Sequence, residues 1–224
     1  EISPDNTTMA WADDTNGRRQ YTFRFRNLAT GEDYPEQITG TSGDLVFADD
    51  NRTVFYVEND PDTLLTKRVK RHVIGTDPAD DAVVYEEHDD SFYMGVDRTR
   101  DDRYIVIGVS STVSDEVRYA PAADPREFTV LAGRERELEY SADHLGGRWV
   151  ILTNVDGAKN FKLVEAPSGS TSRSDWRDLV AHDPDVFLEN FELFNGFIAL
   201  GERSDALERV RILRGDGSAE YVQA

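Results

Sequence analysis

Short runs of alternating apolar and polar residues recur along this chain, and Asp, Asn or Gly bounds most of them. Runs with apolar residues at the three- and four-residue spacing of a helix are almost absent. Alternation with period two is typical of half-buried β-strands, and Asn and Gly accept the positive φ angles of tight hairpin turns. The pattern therefore predicts an all-β protein.

A polar turn followed by a strongly apolar strand occurs five times. The five strands are Thr8–Trp11, Val54–Val57, Tyr104–Ile107, Trp149–Leu152 and Phe197–Leu200. The spacings between successive units are 45, 51, 45 and 48 residues when these positions are taken as equivalent: Thr7, Arg52, Arg103, Arg148 and Gly196. Repeats of this length are typical of β-propeller blades. An irregular β-sandwich whose strand spacing happens to recur is the alternative.

Each repeat has room for four short antiparallel strands, as in a propeller blade. Residues 1–224 are therefore interpreted as a partial β-propeller domain. We expect blades at approximately 41–90, 91–135, 136–182 and 183–224, after a blade remnant at 1–40 that lacks its innermost strand. The chain then supplies about 4.8 blades, and propellers have about four to eight. It is either an almost complete five-bladed ring or an open arc of a larger one.

The composition narrows the classes of partner. The 224 residues include 44 acidic and 25 basic side chains, which gives a net charge of −19, and no cysteine. Phosphate binding depends on clustered Lys and Arg, so nucleic acid is not expected, and cationic partners are favoured. The lack of cysteine fits a reducing compartment. Because no run approaches the roughly 18 apolar residues of a membrane helix, we expect a soluble, cytoplasmic protein without a membrane partner.

Motifs for catalysis or metal binding are absent from the sequence. It has no Gly-x-Ser-x-Gly string, which would expose a nucleophilic serine on a strained turn. The histidines, His72, His88, His144 and His182, occur singly, and the acidic strings lack the ligand order of a calcium-binding EF-hand loop. The sequence therefore predicts no catalytic residue, no metal and no cofactor in this chain.

One window stands out by its charge. Residues 77–102 contain ten acidic side chains against two arginines, a net charge of −8. On the propeller interpretation the window joins the outer strand of one blade to the first hairpin of the next, so part of it faces a rim or the central channel. Such a surface can steer cationic ligands, although a set of solvated turns is the simpler alternative. The candidates for substrate steering or interdomain contact are Glu86, Glu87, Asp89 and Asp90.

Several longer strings resemble a known family, the prolyl oligopeptidases, and within it the oligopeptidase B branch. The strings are Arg71–Thr76, Val84–Glu87, Asp89–Tyr93, Arg18–Tyr21, Arg24–Glu32, Thr63–Leu65, Leu152–Phe161, Asn190–Phe194 and Glu202–Ser204. They occur in order and cover essentially the whole chain. The chain is more acidic and poorer in lysine than is usual for this family.

The resemblance implies a seven-bladed propeller that caps a C-terminal α/β-hydrolase domain, so that this chain is an open arc without the catalytic domain. It implies a parent serine peptidase that hydrolyses short peptides after Arg or Lys. The propeller would act as a lid and size filter, inactive by itself, with the hydrolase domain and short basic peptides as its partners. A free-standing acidic propeller that serves as a protein-interaction scaffold is the alternative.

Overall fold

The computed structural model describes residues 1–222, in which 18 β-strands and three short 3-10 segments occur. The prediction of an all-β protein is confirmed. The described chain forms two compact units. The first comprises Glu1–Arg98, Asp102–Thr112 and Arg118–Val130, and the second comprises Thr99–Asp101, Val113–Val117 and the chain from Leu131. Among the described residues, no helix is both long and apolar enough to cross a membrane.

The first sheet lies in the first unit and has six antiparallel strands in sequence order. The strands are β1 (Thr8–Asp13), β2 (Tyr21–Asn27), β3 (Ile38–Phe47), β4 (Thr53–Asn59), β5 (Thr66–Val73) and β6 (Ala82–Glu86). The strand predicted after the turn at Asp50 is present as β4. The turn itself has the predicted backbone, because Asn51 has a φ of 62°.

Strand β3 explains why this sheet has six strands, where a blade has four. Its first half pairs with β2, through Phe23 and Ile38, and its last residues pair with β4, through Phe47 and Val54. The register shifts between Thr41 and Leu45. Strand β3 is therefore both the last strand of the group β1–β3 and the first strand of the group β3–β6. The blade limits expected from the repeat spacing stay a prediction.

The second sheet has four strands in the order β10-β9-β8-β7. The strands are β7 (Tyr93–Arg98), β8 (Tyr104–Ser110), β9 (Asp115–Pro121) and β10 (Thr129–Ala132). The turn between β7 and β8 contains Asp102, with a φ of 59°, where the sequence predicts a polar turn before an apolar strand. Strand β7 is at the edge of its sheet, antiparallel to β8.

The third and fourth sheets belong to the second unit, and each has four antiparallel strands in sequence order. The third contains β11 (Tyr140–Leu145), β12 (Arg148–Thr153), β13 (Lys162–Pro167) and β14 (Arg177–Val180). The fourth contains β15 (Phe187–Phe194), β16 (Phe197–Ser204), β17 (Leu207–Arg214) and β18 (Ala219–Tyr221). Consecutive antiparallel strands of this kind are typical of propeller blades.

Each unit has its own apolar core. In the first unit, alternate residues of β8 (Ile105, Ile107 and Val109) are fully buried against Phe55 and Val57 of β4. In the second unit, Leu163, Leu193 and Leu200 belong to one buried cluster. Burial of apolar surface at about 25 cal/mol per Å² is the main force that holds such sheets face to face.

Candidate functional site

The four acidic candidates lie where β6 ends and the chain crosses to β7. Glu86 is the last residue of β6, and its Oε1 atom lies 3.0 Å from Nη2 of Arg68. Asp90 is more exposed, and its Oδ1 atom lies 3.7 Å from Nζ of Lys67. Both carboxylates are therefore balanced by bases of the neighbouring strand β5.

The other two candidates stabilise the connecting turn. Glu87 is buried, and its Oε1 atom accepts hydrogen bonds from the backbone N–H groups of His88 (3.0 Å) and Asp89 (2.9 Å). The Tyr85 hydroxyl donates to the other oxygen at 2.8 Å. Asp89 accepts from the N–H and the hydroxyl of Ser91. The contacts of Glu87 satisfy a buried carboxylate, and those of Asp89 hold an exposed turn. The steering role of the four acids stays a prediction.

A different set of side chains, which the sequence analysis did not single out, shares one face of β7 and β8. Strand pairing places Tyr93 opposite Ser110, Gly95 opposite Gly108, and Asp97 opposite Val106. Because residues two apart in a strand point to the same side, Tyr93 and Asp97 flank Gly95 on this face. Tyr93 is 59% exposed.

A third strand contributes to the same surface. The Oδ2 atom of Asp44 in β3 lies 3.9 Å from the position that a Cβ atom at Gly95 would occupy. We call Asp44, Tyr93, Gly95, Asp97 and Gly108 the glycine platform. The sequence showed Asp97 as part of the acidic window and Tyr93 as part of a family-like string, but it did not show that Asp44 lies beside Gly95, which separates them.

Two of the four histidines are fully buried in hydrogen-bonded networks. In the first unit, Nδ1 of His72 lies 2.7 Å from Oδ1 of Asp81, whose other oxygen accepts from the Tyr56 hydroxyl at 2.9 Å. In the second unit, Nδ1 of His144 lies 2.7 Å from Oδ2 of Asp101, and Nε2 lies 2.6 Å from the hydroxyl of Ser168. These contacts give both histidines a structural role.

The other two histidines, His88 and His182, are exposed in connecting segments. No group of three or more His, Asp or Glu side chains in the described part of the chain is arranged to hold a metal ion.

Burial shifts the titration of groups in these networks. Burial, together with the charge and hydrogen bond of Asp81, raises the pKa of the Tyr56 hydroxyl far above its usual value. Burial also raises the pKa of the Asp143 carboxyl, and the charge of Asp101 adds to this shift. The backbone N–H groups of Arg100 and His144 act in the opposite direction, because they donate hydrogen bonds to Asp143.

Comparison with known proteins identifies the family. A family model described as "Prolyl oligopeptidase, N-terminal beta-propeller domain" matches residues 1–223. The chain belongs to the prolyl oligopeptidase family. The resemblance seen in the sequence is thereby confirmed, and the sheets of the structure are blades of this family's N-terminal propeller domain.

Individual members of the prolyl oligopeptidase family resemble the chain over its full length. It is 62% identical to dipeptidyl aminopeptidase BI from Pseudoxanthomonas mexicana, over 100% of this chain and 31% of the relative. It is 22% identical to Protease 2 from Moraxella lacunata, over 99% of this chain and 32% of the relative. Among solved structures, oligopeptidase B from Leishmania major superposes with a TM-score of 0.92 at 28% identity, over 100% of this chain and 33% of that one.

The chain therefore spans about a third of the length of the prolyl oligopeptidase relatives that it matches. The family's propeller domain is the part that matches this chain, and no Gly-x-Ser-x-Gly string occurs in the 224 residues. The surface groups that stay candidates for ligand recognition in this chain are the acids at the crossing between β6 and β7 and the side chains of the glycine platform.

Proposed function

We propose that this chain is the non-catalytic propeller part of a serine peptidase that hydrolyses short peptides after Arg or Lys. The observation that carries the proposal is the match of the family's propeller domain to residues 1–223, in a chain that spans about a third of its relatives. The catalytic serine, aspartate and histidine would belong to an α/β-hydrolase domain outside these 224 residues. Short basic peptides would be the substrates.

The preference for basic peptides has two supports. The net charge of −19 favours the approach of cationic peptides by long-range electrostatic steering. The chain also has oligopeptidase B from Leishmania major as a structural neighbour at 28% identity, and its sequence strings resemble that branch of the family. A free-standing scaffold is the weaker candidate, because the relatives reported above are about three times as long.

In this proposal the propeller is a lid and size filter over the active site. The test uses the full-length parent enzyme and a series of peptides that share one Arg-containing cleavage site but increase in length. The value of kcat/KM is expected to fall steeply with length, and a folded protein with the same exposed sequence should not be cut. Equal cleavage of the longest and the shortest peptide would refute the filter.

The name of the 62%-identical relative favours a second mode of action, the release of dipeptides from a free N-terminus. The two modes differ in the position of the cut. Mass spectrometry of products from one Arg-containing peptide, with a free and with an acetylated N-terminus, separates them. Sequential loss of dipeptides that acetylation abolishes indicates the aminopeptidase mode, whereas internal cleavage after Arg that acetylation leaves unchanged indicates the endopeptidase mode.

A further inference from the structure

The centre of the glycine platform carries no side chain, because it is formed by two glycines. Gly95 and Gly108 are directly opposed in the β7–β8 pair, so neither strand places a side chain at this point. An added Cβ atom at Gly108 would meet nothing within 4 Å, and at Gly95 it would meet the Asp44 carboxylate at 3.9 Å. A cross-strand pair of glycines packs poorly and weakens a sheet. Glycine inside a strand marks a bulge, a tight bend, or a site where a ligand or another backbone approaches closely.

The side chains around this floor are complementary to one kind of group. The ring of Tyr93 presents an exposed aromatic face, and the carboxylates of Asp44 and Asp97 are negative. The Asp44 carboxylate accepts a hydrogen bond from the Ser42 hydroxyl (3.0 Å), and the Asp97 carboxylate accepts one from the N–H of Arg98 (2.7 Å). Each carboxylate keeps further acceptor capacity, since it has about four lone-pair sites.

The carboxylates of Asp44 and Asp97 also have no ion-pair partner among the described residues. Across residues 1–222, no charged side-chain nitrogen of Lys, Arg or His lies within 4.0 Å of the carboxylate oxygens of Asp44 or Asp97. Two of the four acids at the crossing from β6 differ in this respect, because Glu86 is paired with Arg68 and Asp90 with Lys67. The charge of the glycine platform is therefore available to a positively charged partner, and the Tyr93 ring adds a surface on which a flat cation can stack.

We propose that the glycine platform binds the side chain of an Arg or Lys residue of a peptide substrate. The guanidinium or ammonium group lies over the glycine floor, contacts the Tyr93 ring by a cation–π interaction, and pairs with Asp44 and Asp97. This inference rests on the proposed function, since it assigns the basic peptide a contact on the propeller. The basic residue bound here is an additional one, distinct from the residue at the cleavage site in the hydrolase domain.

Direct binding to the full-length parent protein tests the proposal without relying on hydrolysis. The probe is a fluorescein-labelled tetrapeptide with two arginines, followed by anisotropy at low salt, and its control replaces the second arginine with the neutral isostere citrulline. The variants are Tyr93→Ala, the double variant Asp44→Asn/Asp97→Asn, and Gly108→Val, which fills the floor and suits a strand. Asp62→Asn, an exposed acid in the loop before β5, is the matched charge control.

The expected result is a three- to tenfold weaker affinity for the two-arginine probe in each of the three variants, since cation–π and exposed ion-pair contacts are of about this strength. The citrulline probe should bind the wild type and the variants alike, Tyr93→Phe should bind like the wild type, and so should Asp62→Asn. Thermal melting shows whether each variant is folded. Because Gly108→Val alters neither charge nor ring, it keeps the test valid if another variant is unstable.

Two results would overturn the proposal: unchanged affinity in all three variants, or an equal loss with the citrulline probe. The proposed function is tested separately, by hydrolysis of peptides and not by binding of the probe. If the parent cleaves peptides after Arg but the three variants bind the probe normally, the glycine platform is not a subsite and the proposed function stands. If the variants lose affinity but no basic peptide is cleaved, the subsite stands and the proposed function fails.

Discussion

His144 and Asp101 are hydrogen-bonded across 43 residues of sequence, with Nδ1 2.7 Å from Oδ2. The imidazole is fully buried, and its other nitrogen is hydrogen-bonded to Ser168. The contact therefore joins three separate segments of the second unit: the turn before β8, strand β11, and the connection between β13 and β14. The backbone N–H of Arg100 strengthens the junction, because it donates to Asp143 at 2.8 Å.

We expect His144→Phe to destabilise the fold. Phenylalanine keeps an aromatic ring but cannot hydrogen-bond, so Asp101 and Ser168 lose a buried partner, and an unsatisfied buried polar group costs about 1–3 kcal/mol. The measurement is the free energy of unfolding from urea titration. His182→Phe, at an exposed loop position, is the matched control and should change it by less than about 0.5 kcal/mol. Equal stability of the two variants would show that the network contributes nothing.

Asp143→Asn should stabilise the protein at neutral pH. Because the folded-state pKa of Asp143 is raised, its stabilising contribution is present below the unfolded pKa and is lost as the pH rises through the folded pKa. Asparagine is neutral at every pH, and its side-chain oxygen can still accept from the N–H groups of Arg100 and His144.

The advantage of Asp143→Asn over the wild type should therefore disappear as the pH falls below 3.8, the ordinary value for an aspartate. Unfolding curves across this pH range measure it. Asp185→Asn, at an exposed loop position of the same unit, controls for the general effect of one charge fewer. A difference between Asp143→Asn and wild type that does not change with pH would contradict the expectation.

Gly201→Ala should weaken the fourth sheet. Gly201 in β16 is paired with Asn190 in β15, and a Cβ atom at Gly201 would overlap the Asn190 side chain. Because Asn190 is exposed and its amide can rotate away, the expected loss is about 0.5–1 kcal/mol, smaller than for overpacking in a core. Asn190→Ala in the same chain removes the overlap and should restore most of the loss. A double-mutant cycle measures the coupling, and additive effects of the two substitutions would contradict the overlap.

The acids at the crossing after β6 should differ in how much they contribute to the stability of the fold. Glu87→Ala removes the acceptor of three hydrogen bonds and should lower the free energy of unfolding by about 1–3 kcal/mol. Asp90→Ala removes one exposed ion pair and should lower it by at most about 1 kcal/mol. Chemical denaturation measures both. A larger loss for Asp90→Ala would reverse this assignment.

The steering prediction is tested in the parent enzyme with Glu86→Gln/Asp90→Asn, which leaves the turn contacts of Glu87 and Asp89 in place. The value of kcat/KM for multiply basic peptides should fall at low salt. It should approach that of the wild type as salt screens charges beyond about 8 Å. A loss that persists unchanged at high salt would indicate altered folding.

The sequence by itself determined the fold class and the local turns of this protein. Alternation with period two specifies strands, and Asn51 and Asp102 adopt the positive φ that the hairpins require, because both features depend on neighbours in the chain. The repeat of about 47 residues indicated blades, since every blade repeats the same local pattern.

The tertiary structure decided which side chains act together. The continuous strand β3 places Asp44 beside Gly95, 51 positions further along, and the β7–β8 register opposes Gly95 with Gly108. Two of the four acids predicted from charge density, Glu86 and Asp90, have ion-pair partners because β5 places Arg68 and Lys67 beside them. Strand register and packing between distant segments bring such groups together, and the local residue pattern carries no information about these contacts.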